Sequence, residues 1–392
     1  MAPLDGITVL DLTRVLSGPY CTMLLADMGA RVIKIEQPGK GDDTRAWGPP
    51  FLKGESAYFM SINRNKESMT LDFKQPDGRA VLERLVAKAD VLVENFRPRT
   101  LTKLGLDYQS LSAKHPRLIY CSVSGFGQTG PRSAQPGYDA VIQAEGGLMS
   151  ITGPTDGPPY RVGVAIADIV SGMLAAYGVS MALFARERTG RGQQVDLAML
   201  DAVTALLTYQ AGSYFATGVP PRRLGNRHPS IVPYELFEAS DGEFVLAVGT
   251  DDQWKKFCEV AGLRSDDEFT TNRQRVVQYD RLRPILSTTL RTQPRAYWIE
   301  RLNAAGIPSG SVRNLKEVFE DAQVQAREMV AQLEHRAVGT VKQVGVPVKL
   351  SATPGTVRTP PPMLGEHTDA VLQRDLNISA DDIAQLRNRS II

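Results

Sequence analysis

The opening of the chain constrains the fold more than any other stretch, because it switches between strand and helix patterns. Residues 6–12 (GITVLDL) and 31–35 (RVIKI) are short apolar runs, as in buried strands. Residues 19–28 between them begin with proline, which favours the first turn of a helix. A strand, a helix and a strand in this order produce a parallel pair of strands. We therefore predict an α/β fold with a parallel sheet.

The same rhythm continues along the chain and raises the question of dinucleotide binding. A helix is predicted over residues 76–89, followed by strands at 90–96 (DVLVENF) and 117–122 (RLIYCS). Glu36 ends the second strand, where dinucleotide-binding folds often carry an acidic residue. However, the first turn (TRVLSGPY) holds Gly18 alone and lacks the GxGxxG pattern that cradles a pyrophosphate. Nicotinamide and flavin cofactors are therefore disfavoured.

A break in the chain separates two kinds of pattern. Residues 219–223 (VPPRR) form the best domain boundary, and a smaller α+β domain is expected beyond it. Within that domain, residues 233–248 predict a hairpin that turns at Asp241 and Gly242. From Arg336 onward strands and turns return. With 392 residues the chain is long for one core, so two domains are expected.

Composition and charge exclude several classes of function. The 45 basic and 43 acidic side chains leave a formal charge of +2, so the chain lacks the single-sign field of a protein that binds nucleic acid or an anionic membrane. The three cysteines are scattered and the four histidines lack metal-binding spacing, so we expect neither disulfides nor a metal. The N-terminus has no secretory pattern. These features predict a cytoplasmic protein.

One carboxylate has a setting that suits chemistry. Asp168 precedes residues 169–185, which carry no charge and predict a helix buried on every face. That run is short for a membrane span and is better explained as core. An anion at the start of a helix is stabilised by free N–H groups, so Asp168 is the candidate nucleophile. The alternative is that Asp168 only caps the helix, and the general preference for aspartate at caps favours it.

The remaining motifs favour carboxylate chemistry on an activated acyl group. The turn SGFGQTG lacks the GxSxG pattern of a serine hydrolase. A carboxylate can attack an acyl group and form a covalent intermediate if the site excludes water. Basic side chains in loops are candidates for phosphate contacts, although each taken alone is more often a surface charge. They are Lys40, Arg45, Lys74, Arg97, Arg99 and Lys103.

At this point the residues resemble a known family, and the resemblance spans nearly the whole chain. The motifs that carry it are LDGITVLDLTRVLSGPYCTMLLADMGARVIKIEQPGKGDDTR, LDFK, DVLVENFRP, SGFGQTGP, GYDAVIQAEGG, AIADIVSG, RTGRGQQVDLAML and LGEHTDAVL. Together they are similar to the class III CoA-transferases, the formyl-CoA and carnitine CoA-transferase group. The resemblance implies a Rossmann-like large domain from residues 1–220 and 330–392, a small domain from 221–329, and an interlocked, ring-like homodimer.

The resemblance also implies a mechanism. Asp168 falls where the family has its nucleophilic aspartate, which attacks an acyl-CoA thioester and forms a mixed anhydride and then an aspartyl-CoA thioester. Coenzyme A and acyl-CoA are therefore the expected ligands, as substrates, with no metal. In the family a glycine-rich loop covers the aspartate. The matching segment here, residues 248–251, holds only Gly249.

Further site residues follow from the matching motifs. Those expected at coenzyme A are Val15, Leu16, Gln37, Arg45, Phe73, Lys74, Asn95, Phe96, Arg97, Lys103, Leu104 and Tyr138. Formyl-CoA transferases carry glutamine at the position of Leu16 and arginine at that of Gln37. Oxalate and formate are therefore not expected as partners.

The expected donor is succinyl-CoA and the expected acceptor a dicarboxylic acid. The run LGNRHPSIVPYELF resembles the branch of the family that acts on dicarboxylates. A second carboxylate on the acceptor needs a cationic partner, so Arg14, Arg227 and His228 are expected substrate contacts, together with Gly249. The alternative is that these cationic side chains bridge domains or subunits.

Two other functions stay open. An α-methylacyl-CoA racemase of the same superfamily has a histidine where Tyr138 stands, and a phenol is a poor base at neutral pH. The second alternative is a protein that binds coenzyme A without turnover. Asp168, with the motifs around it, argues against that alternative.

Overall fold

The computed structural model describes residues 1–264 and 267–392, which form two compact units. The first unit comprises Met1–Met149, Arg161–Thr217 and Ala322–Ile392. The second unit comprises Ser150–Tyr160 and Gly218–Asp321. Both ends of the chain therefore belong to the first unit. The domain boundaries drawn from the sequence stay a prediction.

A six-stranded parallel sheet forms the centre of the first unit. Its strands, in spatial order, are Lys66–Thr70, Arg31–Glu36, Thr8–Asp11, Val91–Glu94, Ile119–Ser124 and Gln194–Ala198. The order reverses between Thr8–Asp11 and Val91–Glu94, and open α/β sheets bind ligands beyond the carboxyl ends of the strands at such a point. The predicted α/β fold with a parallel sheet is confirmed.

Side chains of these strands alternate between two apolar cores, one on each face of the sheet. One core holds Leu10 and Leu92, and the helices that pack in it are Pro76–Val86, Tyr108–Lys114, Thr368–Leu376 and Ala380–Asn388. The other core holds Val9 and Val91, and its helices are Ser17–Asp27, Asp139–Glu145, Ile166–Thr189 and Met199–Leu206. Burial on both faces explains why these strands are almost continuously apolar in the sequence.

Shorter elements complete the first unit. Its other helices are Ala57–Ser61, Thr208–Thr217 and Ala322–Ala326, and short 3-10 helices span Asp43–Ala46 and Thr102–Leu104. Two antiparallel hairpins pair Phe51–Leu52 with Glu55–Ser56 and Val330–His335 with Gly339–Val344.

A close approach between two helices places the candidate nucleophile. The first helix (Ser17–Asp27) packs on the central helix (Ile166–Thr189). A Cβ at Gly172 would lie 2.6 Å from the carbonyl oxygen of Ser17, so only glycine fits at this crossing. Asp168 lies one turn before Gly172 on the same side of the central helix. The crossing therefore brings Asp168 beside the first turn of the first helix.

The central helix differs from its prediction, because only one of its faces is buried within this chain. Ala175, Val179 and Ala182 pack in the core. The other face exposes large apolar side chains, which are Met173, Tyr177, Met181 and Phe184. By length and composition the helix passes for a membrane span, but this is weak support because core helices pass the same test.

The edge of the sheet at Lys66–Thr70 is covered by the segment that contains the LGEHTDAVL motif. The His367 amide donates to the Ser68 carbonyl oxygen at 2.9 Å, and the Ser68 amide donates to Nδ1 of His367 at 3.2 Å. The Thr70 amide donates to Oγ1 of Thr368 at 3.0 Å. These hydrogen bonds cover the edge strand, and an uncovered edge strand can pair with a strand of another molecule.

The second unit has its own antiparallel sheet and apolar core. Its strands, in spatial order, are Ser309–Ser311, Gly242–Ala247 and Tyr234–Ala239. The two longer strands form the predicted hairpin, and Gly242 at its turn has a φ of 138°. Trp254 and Trp298 are buried in the core. The helices of this unit are Asp251–Ala261, Asn272–Val277, Tyr279–Leu290, Arg295–Ala304 and Leu315–Glu320, with a 3-10 helix at Asp267–Phe269.

Candidate active site

A cavity of about 370 Å³ opens at the carboxyl end of the parallel sheet, where the strand order reverses. Its walls come from the first loop (residues 12–16), from the segment after Val91–Glu94 and from the end of Ile119–Ser124. The predicted site residues that line it are Arg14, Val15, Asn95, Phe96, Arg97, Tyr138 and Asp168. Residues that are far apart in the sequence thus share one cavity.

Asp168 lies in the first turn of the central helix, but it does not cap that helix. The N-cap residue is Ala165, which has no side chain able to accept a hydrogen bond. The Ala167 amide in the first turn donates instead to Oδ1 of Asp139 at 2.8 Å. The alternative reading of Asp168 as the N-cap is therefore wrong, and its carboxylate is free to face the cavity.

The environment of Asp168 favours its neutral form. Burial, and then the negative charge of Asp139, raise the pKa of Asp168 to about 7, although a hydrogen bond from the Ser17 hydroxyl opposes the shift. Among residues 1–264 and 267–392, no cationic side chain pairs with Asp168. The start of a helix favours the anion, but burial and the charge of Asp139 outweigh this effect. A carboxylate perturbed in this way is typical of a functional site.

Asp139 is a site residue that the sequence analysis missed. Its Oδ2 accepts from Nε2 of Gln143 at 2.7 Å, and Oε1 of Gln143 accepts from the Val162 amide at 2.9 Å. This chain of hydrogen bonds fixes Asp139 against the start of the central helix. The GYDA motif contains Asp139 next to Tyr138, so the signal for this residue was present in the sequence.

Tyr58 is a second residue that sequence reasoning missed. Burial, followed by the negative charges of Asp168, Asp139 and Asp42, raises the pKa of Tyr58 to about 12. The phenol therefore stays protonated within electrostatic reach of Asp168. No motif in the sequence connects Tyr58, in the helix Ala57–Ser61, with the central helix.

The other predicted contacts of coenzyme A fall into two groups. A smaller cavity of about 40 Å³ is lined by Gln37, Phe73 and Lys74, and it shares Arg14 and Phe96 with the larger one. The remaining four residues, which line neither cavity, are Leu16, Arg45, Lys103 and Leu104.

The surroundings of these four residues differ. Leu16 is buried at the start of the first helix. Lys103 and Leu104 lie in a 3-10 helix, where Lys103 is exposed. The fourth, Arg45, donates from Nε and Nη2 to Glu36 at 2.7 Å each and stacks over the Phe59 ring. Its guanidinium is thus engaged within the protein.

The remaining predicted substrate contacts belong to the second unit. The guanidinium of Arg227 lies 3.5 Å from the ring centroid of Tyr279, and the ring of His228 stacks on Tyr234. The Gly249 amide donates to Oε1 of Gln253 at 2.8 Å, and the Thr250 side chain caps the helix Asp251–Ala261. The segment 248–251 is therefore held by hydrogen bonds within its own unit.

Metal ligands do not cluster in the part of the chain that the structure describes. Among residues 1–264 and 267–392, no three histidine, cysteine, aspartate or glutamate side chains are placed to hold one ion.

Comparisons with known proteins identify relatives over most of the chain. Residues 4–368 match the model of CoA-transferase family III. The chain is 44% identical to a succinate–glutarate CoA-transferase of Agrobacterium fabrum, over 94% of this chain and 95% of the relative. It is 44% identical to an acetyl-CoA:oxalate CoA-transferase of Acetobacter aceti, over 89% of each chain. A CAIB/BAIF family protein from Brucella suis has a TM-score of 0.85 and 41% identity, over 95% of this chain and 99% of that chain.

These matches extend over both units and are not confined to one motif. They agree with the resemblance that the sequence motifs carry, and the match in structure agrees with the match in sequence. The chain belongs to CoA-transferase family III.

Proposed function

We propose that this enzyme transfers coenzyme A from succinyl-CoA to a dicarboxylic acid, with Asp168 as the nucleophile. The names of two relatives support the substrate class, since succinate, glutarate and oxalate are all dicarboxylates. The observation that carries the proposal is the setting of Asp168. Its carboxyl group has a raised pKa, pairs with no cation among the described residues and lies in the cavity where the strand order reverses.

The first half of the reaction moves the donor acyl group and then coenzyme A onto the enzyme. An oxygen of the Asp168 carboxylate attacks the thioester carbonyl, the C–S bond breaks, and the CoA thiolate leaves a mixed anhydride. The thiolate then attacks the aspartyl carbonyl of the anhydride. The C–O bond to the donor breaks, so the donor acid departs as a carboxylate and an aspartyl-CoA thioester remains.

The second half repeats these steps with the acceptor. The acceptor carboxylate attacks the aspartyl thioester carbonyl and displaces the thiolate, which forms a second mixed anhydride. The thiolate then attacks the acceptor carbonyl, and the Asp168 carboxylate leaves. Every step exchanges one carboxylate or thiolate for another, so no net proton is taken up or released.

The surroundings of Asp168 suit this sequence of steps. A carboxylate that is poorly solvated and unpaired gives up little stabilisation when it attacks a carbonyl, so its anion is a better nucleophile than one held by a cation. The Ser17 hydroxyl donates one hydrogen bond, which keeps part of the population ionised near neutral pH. Water would hydrolyse both the anhydride and the thioester, so the partial burial of Asp168 favours the intermediates by limiting the access of water.

Two guanidinium groups support binding of anionic substrates. Arg14 and Arg97 line the cavity beside Asp168, and neither forms an ion pair with any residue that the structure describes. The Arg14 guanidinium lies 4.9 Å from the Phe96 ring centroid, which holds it at the wall. We assign Arg14 to the free carboxylate of the dicarboxylic acid and Arg97 to a phosphate of coenzyme A, because guanidinium groups bind both anions in a bidentate manner.

A homodimer of interlocked subunits is part of the same proposal. The exposed face of the central helix carries Met173, Tyr177, Met181 and Phe184 in one stripe. An apolar stripe of this kind supports burial against a second copy of the chain, since monomers rarely expose such patches. The molar mass in solution, from light scattering after gel filtration, tests the dimer. Substitution of Met181 and Phe184 by glutamate would then yield monomers.

The covalent mechanism is tested by mass spectrometry of the enzyme after incubation with succinyl-CoA. We expect a mass increase on the tryptic peptide that contains Asp168, which hydroxylamine removes or converts to a hydroxamate. The Asp168→Asn variant, matched in size, is expected to show no adduct. The proposal would be contradicted if the wild-type enzyme showed no mass increase at Asp168 but exchanged the α-protons of an acyl-CoA with deuterated water. A screen of acceptors includes glutarate and oxalate, because the expectation against oxalate stays a prediction.

A further inference from the structure

Val15, in the first loop, adopts a backbone conformation that needs an explanation. Its φ is 69°, in the left-handed region, where a β-branched residue is a genuine outlier. Such a conformation persists only when surrounding contacts impose it, and it occurs most often at functional sites. Val15 lines the cavity that contains Asp168. The contacts that impose this conformation are therefore candidates for a role in the reaction.

The side chains of Asn95 and Asp42 form hydrogen bonds that fix the backbone of Arg14 and Val15. The Arg14 amide donates to Oδ1 of Asn95 at 2.9 Å, and Nδ2 of Asn95 donates to the Arg14 carbonyl oxygen at 2.7 Å. The Val15 amide donates to Oδ1 of Asp42 at 3.3 Å. Asn95 and Asp42 lie far from the first loop in sequence, so only the fold brings them to it.

Asp42 is itself held by a buried lysine that also contacts the first loop. Nζ of Lys34 lies 2.9 Å from Oδ2 of Asp42, and the side chains of both residues are 0% exposed. The same Nζ donates to the Thr13 carbonyl oxygen at 2.9 Å. One ion pair thus holds the loop at two points, the carbonyl of Thr13 and the amide of Val15, with Arg14 between them.

Burial of this ion pair has a free-energy cost, so stability alone does not explain its presence. Two charges removed from water are often no more stabilising than apolar side chains of the same size. Burial would raise the pKa of Asp42 and lower that of Lys34, but each shift is reversed by the attraction between the partners, so both groups stay charged. A pair of fixed charges has one strongly preferred geometry, which suits it to hold a loop.

We propose that Lys34 and Asp42 are positioning residues for the transfer reaction. They keep Val15 in its left-handed conformation, so that Arg14 lies at the cavity wall and Ser17 lies within hydrogen-bond distance of Asp168. Loss of the ion pair releases Val15 toward an ordinary φ and moves Arg14 and Ser17 away from the reacting carboxylate. This inference rests on the proposed function of Asp168.

The test compares two buried, ion-paired carboxylates, of which only one contacts the first loop. Asp42→Asn keeps the size of the side chain and an acceptor for the Val15 amide, but it removes the charge that pairs with Lys34. The matched control is Asp27→Asn. Asp27 is also fully buried and pairs with Arg64 at 2.7 Å, but it lies at the far end of the first helix and does not touch the first loop.

We expect both variants to lose stability, but only Asp42→Asn to lose catalysis. Its kcat with succinyl-CoA should fall by roughly 10- to 100-fold, which is the size expected when reacting groups are misplaced by about 1 Å. The rate of acyl labelling at the Asp168 peptide should fall by the same factor. Amide hydrogen exchange of residues 12–17 should become faster. Asp27→Asn should keep kcat within about twofold and leave exchange of these amides unchanged.

A rescue experiment separates positioning from a general loss of stability. Glycine adopts the left-handed region without a steric cost, so Val15→Gly removes the strain that the ion pair must hold. Asp42→Asn should therefore reduce kcat less in the Val15→Gly background than in the wild type. A merely structural ion pair predicts the same factor in both backgrounds.

The outcomes are distinguishable from a failure of the proposed function. Equal losses of kcat in Asp42→Asn and Asp27→Asn, or faster exchange of the loop amides with unchanged kcat, would overturn the positioning role while Asp168 stays the nucleophile. A wild-type enzyme without acyl labelling at Asp168 would instead overturn the proposed function. Should Asp42→Asn not fold, the double substitution Lys34→Met and Asp42→Leu leaves no unpaired buried charge. It must show the same loss of kcat.

Discussion

Two carboxylates near the candidate active site, Asp42 and Asp168, have environments that push their pKa values in opposite directions. Asp42 pairs with Lys34, and although burial acts to raise its pKa, the lysine holds it below the ordinary range. Asp168 has the Ser17 hydroxyl as its only favourable partner among the described residues, and its pKa rises to about 7. Burial acts on both groups in the same direction, so the difference comes from the partner.

A cationic partner decides how readily a desolvated carboxylate ionises. A buried carboxylate with a lysine partner is stable as an anion and has little tendency to attack a carbonyl. Asp11 repeats this pattern, because Lys66 and Lys34 overcome its burial and hold its pKa well below the usual range. A desolvated carboxylate without such a partner, as at Asp168, is costly to ionise. On the proposed mechanism, the lack of a cation beside Asp168 among the described residues suits its role as the nucleophile.

The largest expected effect is on turnover. Asp168→Asn should reduce CoA transfer by roughly 1,000-fold or more, because the amide cannot form the anhydride and no other described carboxylate shares its position. Binding of coenzyme A, measured by calorimetry, should change little, since the cavity keeps its shape. Turnover within tenfold of the wild type would show that the uncompensated carboxylate is not the nucleophile.

The next effect is on the pH dependence of the reaction. Because only ionised Asp168 attacks, kcat/KM for the donor should fall as pH decreases through about 7, the pKa of Asp168. Asp139→Asn keeps an acceptor for the Ala167 amide but removes a negative charge. The acid limb of the profile should therefore move to lower pH. A limb that stays in place in this variant would contradict the assignment of the limb to Asp168.

The two carboxylates should also have opposite effects on stability. The pKa of Asp168 in the folded state lies above its unfolded value of 3.8, so its ionisation destabilises the fold as pH rises from about 4 to 7. Asp168→Asn should raise the free energy of unfolding by about 1–2 kcal/mol at pH 8, and the gain should vanish near pH 4.

Ionisation of Asp42 has the opposite effect on the free energy of unfolding. Its folded pKa is depressed, so its contribution to stability is present above the unfolded pKa and is lost as pH falls through the folded pKa. Asp42→Asn should therefore lower the free energy of unfolding at pH 8. Urea titrations of both variants at pH 4.5 and pH 8 measure these differences. If both variants changed the free energy of unfolding in the same direction at pH 8, the proposed difference between Asp42 and Asp168 would be wrong.

The smallest expected effect concerns another buried carboxylate, Glu94. Burial raises its pKa to about 7, while a hydrogen bond from the Ser122 side chain and one from the Phe96 amide oppose the shift. Glu94→Gln keeps an acceptor for both donors, so kcat should stay within about threefold of the wild type. A loss of turnover as large as that of Asp168→Asn would show that a raised pKa alone does not identify the nucleophile.

Local patterns in the sequence predicted much of the fold. The strand–helix–strand opening is observed as Thr8–Asp11, Ser17–Asp27 and Arg31–Glu36, because proline placement and apolar runs act over a few residues. The hairpin at Asp241 and Gly242 follows from the same kind of signal. The place of Asp168 near the start of the central helix was likewise predicted from its neighbours in the chain, although the helix begins three residues earlier than predicted, at Ile166.

Contacts between distant residues were beyond such patterns. Asp139 and Ala167 are 28 residues apart, and Val15 and Asp42 are 27 apart. Each contact depends on how the sheet aligns its strands, which periodicity does not specify. Arg45 shows a further contact of this kind, because its guanidinium is bound to Glu36. Its role at coenzyme A stays a prediction.

The sequence by itself determined which segments form strands and helices, and that one aspartate lies near the start of a long apolar helix. Only the tertiary structure decided what that aspartate does. Its pKa depends on burial and on charges within a few ångströms, and Asp139 and Ser17 reach it from other helices. The sign of such a shift depends on the distances between charges in space, and the order of residues along the chain does not specify those distances.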